Sequence, residues 1–408
     1  MERISPEVLL KIVDCAPDAS ECLDAILYGR AESMRGYLMD ELSGCEDPLL
    51  LQSLLGILNA LPKAFRTRIL VSSELGEWMS NRQNELAGLA DASGGSYTDL
   101  LSLVQRETLI CALLTTGPLG IERMVHLPEQ IWSPMGDWQA ERRDGHWALI
   151  KSPTFGDVIA LDFDSPLACK YEAASGILSQ PRLAWSDTER TAVVEKLQHA
   201  LLKIDEVAPE YGALIRNVTR RVIVRKSVER FTNYAGTGSP FGSEHVPRQP
   251  GAIRLLNVQL REFTTANCME SILHESTHNL LAAWETMNGR FVSRNQDYRP
   301  ISPWSGNPIP NSSFIHAIFV YYACHRLFLS YRNSNSPDSE DDMAHVARRL
   351  PIFGVGFLTN QRLVDMLTLD QPINIRLENV LCEIQSRMRA FYRSSACRKG
   401  IPDLEHAA

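Results

Sequence analysis

NCMESILHESTHNLLAAWETM, residues 267–287, decides how the rest of the chain is read. It reads as one helix, with Asn267 as N-cap, Glu270 three residues later to complete a capping box, and Asn288-Gly289 to close the far end. Within it His274 and His278 are four residues apart, a spacing that stacks two side chains on one helical face. Neutral imidazole nitrogens are good ligands for zinc, iron and similar ions, and Glu275 falls beside the water that such an ion would carry. The competing reading is two core or solvated histidines with no ion between them.

A metal site needs a third protein ligand, and the common zinc-protease completions are missing. The metzincin extension calls for Gly at 281 and His at 284, where this chain has Leu281 and Trp284. A thermolysin-like site takes a glutamate from a second helix. Between His278 and Glu340 the only glutamate is Glu285, on the same helix as the pair. The downstream candidates are His316 and His325 in NSSFIHAIFVYYACHRLFLSY, a helix opened by Pro310 and Asn311. Nine residues put them about half a turn out of phase, so both cannot face one ion. His316 sits among Ile315, Phe319 and Val320, where a lone histidine is more often a satisfied core residue than a ligand.

Working outward, residues 1–125 read as a helical region and residues 126–408 as the metal-binding domain. EVLLKIVD, ECLDAILYGRAESMRGYLMDEL, PLLLQSLLGILNALP and TDLLSLVQRETLICALLTTG all carry apolar residues at helical spacing. HWALIKS and DVIALDFD, separated by the turn residues SPTFGD, predict a hairpin over 146–164. SDTE at Ser186 predicts a capped helix, RRVIVRK and AIRLLNVQL predict strands, and the Gly-, Ser- and Pro-rich TNYAGTGSPFGSEHVPRQPG between those strands reads as a loop. Asp162 and Asp164 in LDFDSP read as a strand end rather than a second acidic site, and SNSPDSEDD as solvent-exposed.

Composition narrows the function classes. The 408 residues are 44% hydrophobic and 22% charged, a globular profile, with a formal net charge of -8. There is no basic field for nucleic acid or anionic lipid, and no apolar run long enough to span a bilayer. Nine scattered cysteines without a CxxC predict reduced thiols in a cytoplasmic protein, and the N-terminus lacks the features of a signal peptide.

SILHESTHNLL, then SPWSGNPIP, then FIHAIFVYYACHRLFL resembles the HExxH-type peptide modification enzymes of ribosomal-peptide biosynthetic clusters. Those carry HExxH, a (Y)SPWRxDPRP-like loop and a helix beginning LHGVYxF; the match covers about sixty residues, extended upstream by TGSPFGSEHVPRQPGAIRLLN. The resemblance implies a 2-oxoglutarate-dependent β-hydroxylase of peptide side chains. It implies iron(II) held by His274, His278 and His316, with dioxygen and a peptide or carrier-bound amino acid as reaction partners. Glu275 would then orient a ligand or water instead of acting as a hydrolytic base. The family's arginine after SPW is Ser305 here, and Gly306 and Asn307 replace the acidic position that follows. The guanidinium that clamps the 2-oxo acid is therefore sought at Arg299, with Arg326 and Arg254 behind it, and Ser302 and Trp304 of the SPW loop complete the candidate co-substrate residues. Tyr321 and Tyr322 read as helix packing.

Two other readings stay open: a zinc metallohydrolase completed by His316, and a non-catalytic member that binds a peptide without turnover. The expected architecture is α+β and predominantly helical, a zincin-like HExxH helix beside a small β-sheet. It is not the double-stranded β-helix, or cupin barrel, typical of 2-oxoglutarate enzymes, because the strands are too few and the ligands lie on helices.

Overall fold

The computed structural model describes residues 3–86, 95–116, 127–169, 183–227, 231–232, 238–239, 241–292, 299–334, 339–369 and 372–394. Six helices open the chain: α1 (Glu7–Val13), α2 (Ala19–Ser43), α3 (Pro48–Ala60), α4 (Lys63–Val71), α5 (Ser73–Leu86) and α6 (Tyr97–Thr116). The 25-residue α2 belongs to two cores. Leu23 and Ile26 near its start pack with α1 into the larger core, which also holds the predicted metal helix. Met34, Leu38 and Leu42 near its end pack with Leu54, Ile69, Trp78 and Val104 of α3–α6. Hydrophobic packing therefore divides the N-terminal region within α2, well before residue 125.

Three strands follow, β1 (Gln130–Trp132), β2 (Trp138–Arg143) and β3 (His146–Lys151), forming an antiparallel sheet. Its β2–β3 turn is Asp144-Gly145, both at positive φ (50° and 81°), the backbone form a tight hairpin demands. The hairpin expected over 146–164 is thus not formed. HWALIK pairs backwards with WQAERR, while IALD becomes β5 (Ile159–Asp162) of a different sheet, with β4 (Thr154–Phe155) between them.

The short α7 (Pro166–Cys169) comes next, followed by α8 (Asp187–Val207) and α9 (Pro209–Val218). Ser186 and Glu189 complete the capping box predicted at the start of α8. The second sheet then fills in with β6 (Arg221–Arg225) and, beyond the two-residue strands β7 (Phe231–Thr232) and β8 (Gly238–Ser239), with β9 (Gly242–His245) and β10 (Ala252–Leu256). Its order is β4-β5-β6-β10-β9. β5, β6 and β10 run parallel, and β9 lies antiparallel on the outer edge, Glu244 opposite Arg254. The stretch read as a loop before AIRLL therefore contains the edge strand.

Arg221 at the start of β6 is 1% exposed. Its guanidinium reaches Asp162 of the neighbouring β5 (Nε to Oδ2, 2.9 Å), Ser165 (2.7 Å) and Glu74 of α5 (3.1 Å), tying the sheet to the N-terminal helices. Asp162 is thus a buried ion-pair partner at a strand end. Asp164, two residues on, is half-exposed and pairs with Arg190.

The motif helix is α10 (Thr265–Asn288). It starts one turn earlier than the sequence suggested: Thr264 is the N-cap and Asn267 the N3 partner of its capping box. Asn267 is thus not the cap, and Glu270 turns instead to His345 and Arg349. Gly289, at φ 88°, ends the helix as expected. α10 is buried on several faces at once (Met269, Ile272, Leu273, Leu280, Leu281), as a helix enclosed by others must be. Around it stand α11 (Asn311–Asn333) and α12 (Glu340–Val355), and α13 (Ile375–Arg393) packs on α11. The described chain is mostly helical, with small sheets and no closed barrel, which bears out the α+β expectation in that coarse form. Among the described residues, no single helix is long and apolar enough to cross a membrane.

Residues 335–338, within the stretch expected to be exposed, lie outside the described residues, as does Cys397.

Candidate metal centre

Four imidazoles meet on one side of a cavity of about 1090 Å³. His274 and His278 come from adjacent turns of α10, with ring centroids 5.2 Å apart. His316 enters from the second turn of α11: its Nδ1 is 3.0 Å from Nδ1 of His278, and the two rings stack at 5.3 Å. His245, from the edge strand β9, also stacks on His278 at 5.3 Å. Donor atoms of His274, Glu275 and His278 all lie within 4.8 Å of one another; His316 stands outside that set and approaches it at His278. The cavity is closed on its far side by the N-terminal helices, through Met34 and Tyr37 of α2 and Met79, Gln83 and Asn84 of α5. Gly76 makes that closure possible, because a Cβ there would stand 2.3 Å from Cδ of Pro250, in the turn after β9.

Burial dominates the electrostatics. It pushes His274 down to about 4 and His245 down to about 3, the latter with help from the neighbouring His316 and His274, and drives His278 well below the ordinary histidine value. Neutral imidazoles are the form that binds metal. Burial likewise raises Glu275 to about 8, against the opposing effect of Ser243, whose Oγ donates to its Oε1 at 2.6 Å. The backbone N–H of His245 also donates to the Glu275 carboxyl, so β9 holds this glutamate twice. Glu285, two turns beyond His278, places Oε2 3.4 Å from Nε2 of His316.

His325 behaves as its half-turn offset requires. It faces α13, with Nε2 2.9 Å from the hydroxyl of Tyr392 and its ring edge-on to Phe391. The SPW loop stands behind the centre. Ser302 Oγ accepts from the backbone N–H groups of Trp304 (3.3 Å) and Ser305 (3.4 Å), which shapes the turn. Trp304 donates to the Phe353 carbonyl (3.0 Å) and lies 4.9 Å from the ring of Tyr321, which in turn meets His274 edge-on at 6.1 Å. Ser302 and Trp304 thus support the wall behind His274 and do not line the cavity.

None of the three arginines proposed as co-substrate clamp lines it either. Arg299 is exposed at the margin of the described residues. Arg326 is committed to Asp14 after α1 (2.8 Å), and Arg254 lies 3.7 Å from Glu244. Among the described residues the cations that line the cavity are Arg248 and Arg290.

Sequence reading missed His245, set aside Glu285 and passed over Arg248. The seven-residue step from His278 to Glu285 is a same-face spacing and was a usable signal. His245 had none, because GSEH, a four-residue strand that opens on a glycine and runs into Val246-Pro247, is too short to show alternation.

The residues fit a metal ion. The donor set is imidazole-rich and buried, burial favours the neutral form of His245, His274 and His278, and Nδ1 of His245 and Nε2 of His316 are buried without an aligned hydrogen bond. No protein-family model matches this chain, and neither does any curated protein.

Proposed function

We propose that the chain is an iron(II)- and 2-oxoglutarate-dependent oxygenase that hydroxylates a side-chain Cβ of a peptide or amino-acid-derived substrate. The observation that carries this reading is the meeting of His274 and His278 of α10 with His316 of α11 at one cavity. The HExxH–SPW–His order of the sequence supports the same assignment. Three imidazoles would hold iron and leave coordination positions open for a bidentate 2-oxo acid and dioxygen. Bound iron with 2-oxoglutarate supplies the oxidant: one oxygen atom of dioxygen replaces hydrogen as hydroxyl on substrate carbon, the other enters succinate, and carbon dioxide leaves.

The chain's own residues do the rest. Arg248 and Arg290 supply the positive charge for the co-substrate carboxylate. Glu275, held by Ser243 and the His245 backbone, anchors α10 to β9 and so fixes the direction of His274 and His278. Tyr321 and Trp304 pack behind His274 and keep water from that side. The zincin-like element of this reading is the antiparallel edge strand β9 lying along the HExxH helix.

A zinc hydrolase is the second reading, favoured by the closeness of Glu275 to the two motif histidines. Against it stands the engagement of the Glu275 carboxyl by Ser243 and the His245 backbone of β9, which occupies oxygens that a hydrolytic base would keep for water. Anaerobic addition of Fe(II) and 2-oxoglutarate should give a visible charge-transfer band, and air should then release succinate. Protein that holds only zinc and forms no succinate with any peptide would overturn the proposal in favour of hydrolysis. If His274→Ala leaves the biological product unchanged, the chain binds without turnover.

A further inference from the structure

We infer that Glu285 is a positioning residue for the metal centre: its carboxylate holds the Nε2–H of His316 and so turns the bare Nδ1 toward His278 and the ion. The inference rests on the metal-binding reading above and assigns a role to a residue outside the HExxH motif.

Glu285 sits seven residues after His278, about two turns along the same face of α10. Its carboxylate is itself held in place, because Oε1 accepts from the backbone N–H of Phe291 at 3.0 Å. The Phe291 ring stacks on Trp284 at 4.8 Å and meets His316 edge-on at 5.8 Å, so the segment after α10 wedges the carboxylate against the imidazole. The other oxygen, Oε2, faces Nε2 of His316 at 3.4 Å, and that nitrogen has no aligned hydrogen bond. A few tenths of an ångström of ring rotation closes the contact.

The consequence lies at the other end of the ring. A neutral imidazole carries one proton. Held at Nε2 by Glu285, it leaves Nδ1 with a free lone pair, and this is the nitrogen 3.0 Å from Nδ1 of His278. Two nitrogens each about 2.1 Å from one ion and at right angles to each other stand about 3.0 Å apart. The spacing thus suits adjacent ligands of one ion. A carboxylate behind a ligand histidine is a recurrent way to fix tautomer and ring direction.

The test uses the full chain stripped of metal and titrated anaerobically with Co(II), whose d–d absorption reports the ligand set; a competing chelator gives the affinity. Glu285→Gln has the same shape and keeps an oxygen for the Phe291 N–H. It offers an NH2 to Nε2, which moves the ring proton to Nδ1, the wrong nitrogen. Metal should bind about 10- to 100-fold more weakly, with an altered Co(II) spectrum. In a His316→Ala background the same substitution should add nothing, because Glu285 acts only through that ring. Binding within twofold of wild type, or a loss that persists undiminished without His316, overturns the inference. His274→Ala and His278→Ala separate the two levels. If they abolish binding while Glu285→Gln does not, only the role of Glu285 falls; if they too leave binding intact, the metal centre itself falls.

Discussion

Asp162→Asn tests the reading of the sheet junction and can be worked through from its contacts. Arg221 and Asp162 are 1% and 2% exposed as side chains, joined by a 2.7 Å Nη2–Oδ2 contact and a 2.9 Å Nε–Oδ2 bond. Burial opposes ionisation of Asp162, yet the guanidinium holds its pKa below the ordinary carboxylate value. The amide of asparagine keeps an oxygen for the Ser165 backbone N–H, now 3.0 Å from Oδ1, but presents NH2 to the guanidinium, donor against donor. Arg221 then remains buried with Glu74 as its only described carboxylate, and Glu74 is shared with Arg106. Breaking one side of a buried pair costs about 3–5 kcal/mol, and the retained Glu74 places the expectation near the lower end. Equilibrium urea unfolding followed by near-UV circular dichroism measures it. Asp164→Asn is the control: its carboxylate is 53% exposed and pairs with Arg190 at the surface, so a loss of no more than about 1 kcal/mol is expected. Replacing both buried partners, as Asp162→Leu with Arg221→Met, should recover part of the loss because no charge is left stranded. An Asp162→Asn protein as stable as wild type to within about 1 kcal/mol would refute the account.

Glu270 makes stability depend on acid. Although burial would raise it, His345 and Arg349 hold its pKa at about 2 against an ordinary 4.5. Its contribution, about 3 kcal/mol, is complete above pH 4.5 and disappears as pH falls toward 2; Glu270→Gln should flatten that part of the stability–pH curve, and an unchanged curve would contradict the pairing. Trp304→Ala removes the bond to the Phe353 carbonyl and the contact with Tyr321, so a loss of about 3–5 kcal/mol in denaturant unfolding is expected, with a loss below about 1 kcal/mol ruling out its wall role. His325→Ala should leave metal content and affinity unchanged while lowering stability by about 1–3 kcal/mol through the lost bond to the Tyr392 hydroxyl and the lost packing on Phe391; weaker metal binding in that variant would place His325 at the centre after all.

Local signals in the sequence carried as far as local chemistry does. The two motif histidines, the capping box at Ser186 and the glycine that ends α10 are each set within a few residues, and each is found where its spacing puts it. Helical phase ruled out His316 and His325 serving one ion together, and the resemblance chose His316 between them. Pairing between strands is a long-range matter, and there the reading went astray. HWALIK and IALD looked like hairpin partners because they are neighbours, whereas the stronger cue was Asp144-Gly145, the tight turn that sends HWALIK back onto WQAERR. The N-cap of α10 was placed a turn late because Asn267 and Glu270 mimic a box that Thr264 and Asn267 form. Co-substrate arginines were sought near SPW by likeness of order, but the cavity is reached by Arg248 and Arg290, which the fold brings in from the β9–β10 turn and the end of α10. No local pattern announces such convergence.

The double membership of α2 has a mechanical side. Its first half is seated against α10, and its second half carries Met34 and Tyr37 to the opposite bank of the cleft. At roughly 1.5 Å per residue, its 25 residues form one unbroken strut of about 37 Å. The strut works beside the α5 links to the sheet, Glu74 on Arg221 and Gly76 against Pro250, so a load on the α3–α6 bundle reaches the histidine side both as leverage along an unbroken rod and through the sheet.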